Sequence, residues 1–331
     1  MRVRAVAVDR SLQALARSCR IRDDRAVHTR AALLAEIGDR IARHARPDMT
    51  TSIDGVLLSK VTTDGSTPDY TLTEPLLVVM AQGGKRLLLG DRAYEYRAGQ
   101  CLLVAATVPV TGHYVDTSAT SPSLGFGLAL RPAEIAALML RAPGERRRRT
   151  DDPESAITTG DADVDLLDAV ARMLRLLERP DDAAVLAPLI EREILWRVLT
   201  GPLGPTLRQI GSADGNLAHV SRTISWLRDN YAQPLRIDDL ASMAGMSSSA
   251  YHRHFRGVTA MTPLQFQKCI RLQHARSLLL ARPGDVAGIG HAVGYDSPSQ
   301  FNREYRRLFG VPPGRDAERL RDSPTRAVAL V

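Results

Sequence analysis

Residues 238–257, DDLASMAGMSSSAYHRHFRG, and residues 285–310, DVAGIGHAVGYDSPSQFNREYRRLFG, carry one plan twice, about fifty residues apart. Each begins with a short helix-forming stretch, turns at a glycine, Gly245 or Gly294, and enters a second helix through a residue able to cap it. Ser247 is that cap in the first copy and Asp296 in the second, where Pro298 falls in the first turn and its missing N–H removes no intrahelical bond. Tyr251 and Phe255 in one copy match Phe301 and Tyr305 in the other as buried anchors, and Tyr295 fills the small core. The spacing leaves His252, Arg253, Asn302 and Arg303 on the outer faces. Two short helices joined by a tight turn, with basic residues on the second, form a helix-turn-helix pattern, and its recurrence is an internal duplication.

The charge distribution agrees. The 331 residues carry a net +7, but residues 1–220 hold 28 basic and 28 acidic side chains whereas residues 221–315 hold 13 and 6. A basic domain joined to a neutral one points to a phosphate-rich partner for the first and a different task for the second. Hydrophobic residues at 44% and charged residues at 24% exclude a disordered polyelectrolyte. Three widely spaced cysteines, Cys19, Cys101 and Cys269, suit a reducing compartment and support neither a disulfide framework nor a thiolate zinc site. With no signal-peptide core and no membrane-length apolar run, the expected location is the cytoplasm.

Upstream, Val27, Leu33, Leu34, Ile37 and Ile41 recur at helical spacing from about residue 27 to 45. Between Ile53 and Leu130 the pattern changes to short apolar runs, VLLSKV, LLVVMAQ, KRLLL, AYEYRAG, QCLLVAA and GFGLAL, which predict an antiparallel sandwich or barrel. Gly83-Gly84 and Gly90-Asp91 read as hairpin turns. Residues 131–140 return to helix, PGERRRRTDDPES (143–155) reads as a solvated linker, and two or three amphipathic helices follow from Asp163 to Ile210.

Over residues 221–315 the chain resembles the AraC/XylS family of transcription regulators, most closely in GYDSPSQFNREYRRLFGVPPGR (294–315). The stretch LTEPLLVVMAQGGKRLLLGDRAYEYRAGQCLLVAATVPVTG resembles the N-terminal domain of a large AraC-type subgroup, over roughly residues 50–205. The resemblance implies an α+β chain: a cupin-like β-barrel or sandwich with flanking helices, then an all-α double helix-turn-helix domain. The expected divisions are an irregular leader at 1–26, an effector-sensing and dimerisation domain at 27–210, the DNA-binding domain at 216–315 and a flexible tail at 316–331. Carried over by motif position, the base-reading residues are Ser249, His252 and Arg253 in one recognition helix and Ser299, Asn302 and Arg303 in the other. Chemistry supports the assignment, since Arg pairs bidentately with guanine and Asn with adenine. Arg256, Lys268, Arg271, Arg306 and Arg307 are candidate phosphate ligands.

Three positions depart from the family pattern. Arg236 stands where a Ser or Thr cap is usual, Ala260 replaces a glycine at a turn that favours positive φ, and Gly290 replaces a small core alanine.

The expected partners are double-stranded DNA, a small-molecule effector, a second copy of the chain and, for an activator, RNA polymerase; no membrane is involved. The barrel segment has one histidine, His113, and the chain carries no GxSxG elbow, P-loop or dinucleotide glycine pattern, so no enzymatic activity, metal or cofactor is expected. Tyr94, Tyr96, Cys101 and His113 are the candidate effector-pocket residues, with Cys101 either facing the cavity or serving as a small buried hydrophobe.

Overall fold

The computed structural model describes residues 29–63, 68–142, 155–213, 215–282 and 284–322. The leader, the arginine run Arg146–Arg149 and residues 323–331 lie outside them.

The first helix, α1 (Arg30–His44), is capped by Thr29 and turns Leu33, Ile37 and Ile41 inward, all fully buried. Among the described residues nine strands follow: β1 (Val56–Val61), β2 (Asp69–Thr73), β3 (Leu76–Gln82), β4 (Gly84–Leu89), β5 (Arg92–Arg97), β6 (Gln100–Val104), β7 (Val108–Val115), β8 (Ser123–Ala129) and β9 (Ile157–Asp161). They form two antiparallel sheets, β1-β8-β3-β6-β9 and β2-β7-β4-β5, and no ladder among the described residues closes them into one barrel. Helices α2 (Pro132–Met139), α3 (Val164–Arg175), α4 (Pro180–Thr200) and α5 (Gly204–Gly211) join α1 on the outer side of the five-stranded sheet. That sheet is therefore covered on both faces. On β6, Cys101 and Leu103 enter the core shared with the helices, while Leu102 and Val104 enter the core facing the second sheet.

Gly90 sits at φ 60 in the β4–β5 hairpin, as expected. Gly83 does not make a hairpin: at φ 72 it turns the chain from β3 in one sheet to β4 in the other. Three strands escaped the alternating pattern for physical reasons. All five positions of β2 are half-buried, β9 is ITTGD, and β7 contains Pro109 and Gly112. The β4 ladder stops at Thr111, so Pro109 pairs only with β2.

The C-terminal unit comprises α6 (Asn216–Asp229), α7 (Ile237–Met243), α8 (Ser248–Thr259), α9 (Pro263–Ala281), α10 (Val286–Ala292), α11 (Pro298–Phe309) and α12 (Pro313–Asp322). It lies against the outer face of the four-stranded sheet, where Tyr70 on β2 meets Phe309 edge-on at 4.8 Å. Among the described residues no helix is long and apolar enough to cross a membrane.

The helical unit does not end at 315, and its last helix is not a loose tail. Asp316 is 4% exposed and accepts hydrogen bonds from Arg276 Nε and Tyr305 Oη, both at 2.8 Å, while Ala317 and Leu320 are buried beside it. Removing one member of a buried ion pair leaves the other uncompensated. Asp316→Ala is expected to lower the stability of the second helix-turn-helix by about 3–5 kcal/mol, read by chemical denaturation; an unchanged midpoint would show that α12 is dispensable to the unit.

Candidate nucleic-acid interface

The two helices expected to read DNA are α8 and α11. Ser247 caps α8 by accepting from the Ala250 N–H, and Ser248 Oγ donates to Asp238 Oδ1 at 2.6 Å, tying α8 to α7. Helix α7 has no side-chain cap at Arg236, as its sequence implies. In the second motif the cap is Ser297, which accepts from the Gln300 N–H, rather than the neighbouring Asp296. The Gly290 backbone packs on the Phe301 ring, where an added Cβ would lie 3.1 Å from Cδ1; this close approach explains a glycine inside α10 despite its helix cost.

Tyr251, Phe255, Phe301 and Tyr305 are all fully buried. Phe255 meets Phe266 edge-on at 5.4 Å, and Tyr251 Oη donates to Thr223 Oγ1 at 3.0 Å. Fixing those faces inward sends Ser249, His252, Arg253 and Arg256 outward from α8, and Ser299, Asn302, Arg303 and Arg306 outward from α11, all exposed. The two stripes repeat at an offset of fifty residues, with i, i+3, i+4, i+7 spacing in each. Arg253, Arg303, Arg306 and Arg307 have no ion-pair partner among the described residues.

The other candidate phosphate ligands are placed differently. Arg256 is exposed but lies 3.8 Å from Asp91 of the β4–β5 hairpin. Lys268 Nζ is 2.8 Å from Glu304 Oε1, which also accepts from Gln300, and Tyr295 Oη donates to the other carboxylate oxygen. Burial acts to raise the Glu304 pKa, but Lys268 and those hydrogen bonds hold it below the usual carboxylate value. Arg271 spends its guanidinium on main-chain carbonyls: Tyr231 at 2.6 Å, Gly294 at 2.7 Å, Gln233 at 3.0 Å and Ala232 at 3.2 Å. It staples the loop after α6 to the turn of the second motif and has little left to offer a phosphate.

The four candidate effector residues do not converge. Tyr96 is buried between the sheets, and Tyr94 on the same face shares a 2.6 Å hydrogen bond with Ser155. His113 pairs in register with the exposed Arg86, on the outer face. Cys101 lies on the helix side of its own sheet, its Sγ donating to Gly160 O, and burial pushes its thiol pKa up to about 12. That is the environment of an unreactive core thiol, the second of the two roles considered.

An inward-facing polar group that sequence reasoning missed is Lys85, whose stretch GGKR resembles a turn. Its Nζ lies 3.2 Å from Asp69 Oδ2 and 3.3 Å from Tyr114 Oη, over the Tyr114 ring. A further space opens between the domains, a cleft of about 660 Å³ bounded by Tyr70, Leu88 and Thr111 on the sheet and Met261, Lys268 and Leu308 on the helices. Among the described residues no three His, Cys, Asp or Glu side chains gather as a metal site.

Residues 52–206 match the family model of the AraC-type transcriptional regulator N-terminus, and residues 240–319 match a helix-turn-helix domain model. The chain is 29% identical over 157 residues to the HTH-type transcriptional activator RhaS of Salmonella arizonae, covering 47% of this chain and 56% of that protein. RhaS of Salmonella agona is 28% identical over 158 residues, with 48% and 56% covered. The chain thus spans about half the length of the curated relatives it matches. Among solved structures, an apo variant of ToxT from Vibrio cholerae strain SCE256 superposes with a TM-score of 0.53 at 10% identity, covering 81% of this chain and 99% of that one, a likeness of fold. Unsaturated fatty acid bound ToxT from the same strain gives 0.50 at 9% identity, with 81% and 97% covered. Two matched segments, each falling within one of the two structural units, make the chain a member of the AraC/XylS family of transcriptional regulators.

Proposed function

We propose that the protein is a sequence-specific DNA-binding transcription regulator whose N-terminal domain senses a small molecule, acting in the cytoplasm and not as an enzyme. The observation that carries the DNA assignment is the pair of exposed stripes on α8 and α11, held outward by buried aromatics and rich in side chains that read base edges. Arg253 and Arg303 are matched to guanine, Asn302 to adenine, and Arg256, Arg306 and Arg307 to phosphates. RhaS is named as an activator; carried to this chain, that name favours activation, with RNA polymerase as a partner and a second copy of the chain to pair half-sites.

Selecting duplexes from a random pool with the full chain tests the reading directly. Arg253→Ala or Asn302→Ala is expected to cost about 1–3 kcal/mol on the selected duplex and to relax preference at one base position. Arg306→Ala is expected to weaken all duplexes alike and to reduce the salt slope by about 1. Equal binding of selected and scrambled duplexes, unaltered by Arg253→Ala, would refute sequence reading.

The interdomain cleft supports effector sensing, because a molecule there touches both units and biases their arrangement. The scatter of Tyr94, Tyr96, Cys101 and His113 supports a rival in which the sheet domain only assembles an architectural or constitutive DNA-binding dimer. Sensing predicts that a metabolite fraction raises the melting temperature of the full chain saturably and that Thr111→Trp, which fills the cleft, removes the shift. A saturable shift that survives Thr111→Trp would move the effector site elsewhere, and no shift with any fraction would favour the rival.

A further inference from the structure

A helix leaves its last carbonyls without intrahelical donors. In α8 two of those acceptors are supplied from the other domain: Arg92 Nη1, at the start of β5, donates to Gly257 O at 3.0 Å, and the Ala156 N–H, just before β9, donates to Val258 O at 3.0 Å. The hairpin tip presses against the same helix end. A Cβ on Gly90 would lie 2.4 Å from Ala260 O, so only glycine permits this approach. Ala260 itself is in the left-handed region at φ 55, a conformation its Cβ disfavours and the surrounding contacts hold in place. The last turn of α8 and Ala260 share one continuous apolar core with Leu89, Val104 and Ala156 of the sheet domain.

The duplication supplies an internal comparison. Helix α11 ends at Gly310, φ 77, where the left-handed cap is unstrained, and its corresponding carbonyls at Arg307 and Leu308 take no donor from the sheet domain among the described residues. Both helices make the same terminal bond, Ala260 N–H to Arg256 O and Gly310 N–H to Arg306 O, but only the first takes further donors from the sheet domain.

We propose that Arg92 is a positioning residue for DNA reading: with the Ala156 amide it forms the C-terminal cap of the first recognition helix, so the sheet domain sets the order and pitch of the base-reading face. The guanidinium at the negative end of the α8 dipole and its hydrogen bond to a carbonyl act in the same direction. Arg256 in that last turn is thereby held toward the hairpin, 3.8 Å from Asp91. Movement of the β4–β5 hairpin uncaps α8 and leaves α11 intact. This rests on the reading of α8 as a base-reading helix.

The test uses the full chain with Arg92→Met, which keeps the apolar stem, and Arg92→Lys, which keeps the charge. Amide hydrogen exchange is followed in the segment 255–261, with 305–311 as the control. Arg92→Met is expected to speed exchange in the first segment about tenfold, leave the second unchanged, and weaken binding to the selected duplex several-fold with the salt slope unaltered. Arg92→Lys is expected to recover part of both losses. Unchanged exchange at 255–261 overturns the cap. Faster exchange with unchanged duplex affinity overturns the positioning role. If Arg253→Ala also binds as the unaltered chain does, the DNA reading fails instead, and the exchange measurement still decides the cap by itself.

Discussion

The burial of an aromatic pair one helical turn apart is the constraint from which the rest of the DNA-facing structure follows. Tyr251 with Phe255, and Phe301 with Tyr305, can reach the small cores of their motifs in only one rotation of each helix. That rotation puts Ser249, His252 and Arg253, and their counterparts fifty residues on, into solvent. Each aromatic side chain supplies a large apolar area to a small core, so rotating either helix by one position would expose the anchor and bury a charge. The two hydroxyls deepen the lock, because Tyr251 needs Thr223 and Tyr305 needs Asp316 to satisfy them inside.

The molecule stacks as helices, five-stranded sheet, four-stranded sheet and DNA-facing unit, and the four-stranded sheet touches both recognition helices at their C-terminal ends. It does so unequally. At α11 the contact is an aromatic edge, Tyr70 on Phe309; at α8 it is the Arg92 hydrogen bond and a close glycine approach, joined by the Ala156 N–H just before β9 of the other sheet. Between the two contacts lies the cleft. Under the proposed effector sensing, a ligand in that space would separate or tighten surfaces that contact the two motifs unequally, a physical route from small-molecule binding to altered DNA reading.

Much of this was legible in the sequence. β3 coincides with LLVVMAQ because a strand inside a sheet covered on both faces reads as an almost unbroken apolar run, and β1 with VLLSKV, an edge strand whose apolar residues precede an exposed Lys60. The helices from α3 to α11 followed from their apolar periodicity and from Gly245 and Gly294, both at positive φ. What escaped depends on contacts distant in the chain. Nothing local distinguishes Lys268 and Arg271, bound to Glu304 and to four carbonyls, from the free Arg306. The facing of Cys101 is illegible because a single-residue change of phase inverts a strand. Helix α12 reads as a tail because its stretch, PGRDAERLRD, is mostly charged, yet Asp316 within it finds Arg276 forty residues away and is buried there. Arg92 looks like an ordinary residue after a turn; its role emerges only when α8 arrives.

If both heads read DNA as proposed, they must leave two footprints. Base-resolved interference on a selected duplex, in which individual bases are removed and bound molecules recovered, tests this most directly. The expected result is two clusters of essential bases in successive major grooves, about one helical turn or roughly 10 base pairs apart, one abolished by Arg253→Ala and the other by Arg303→Ala. A single cluster, or binding indifferent to the loss of any base, would contradict it.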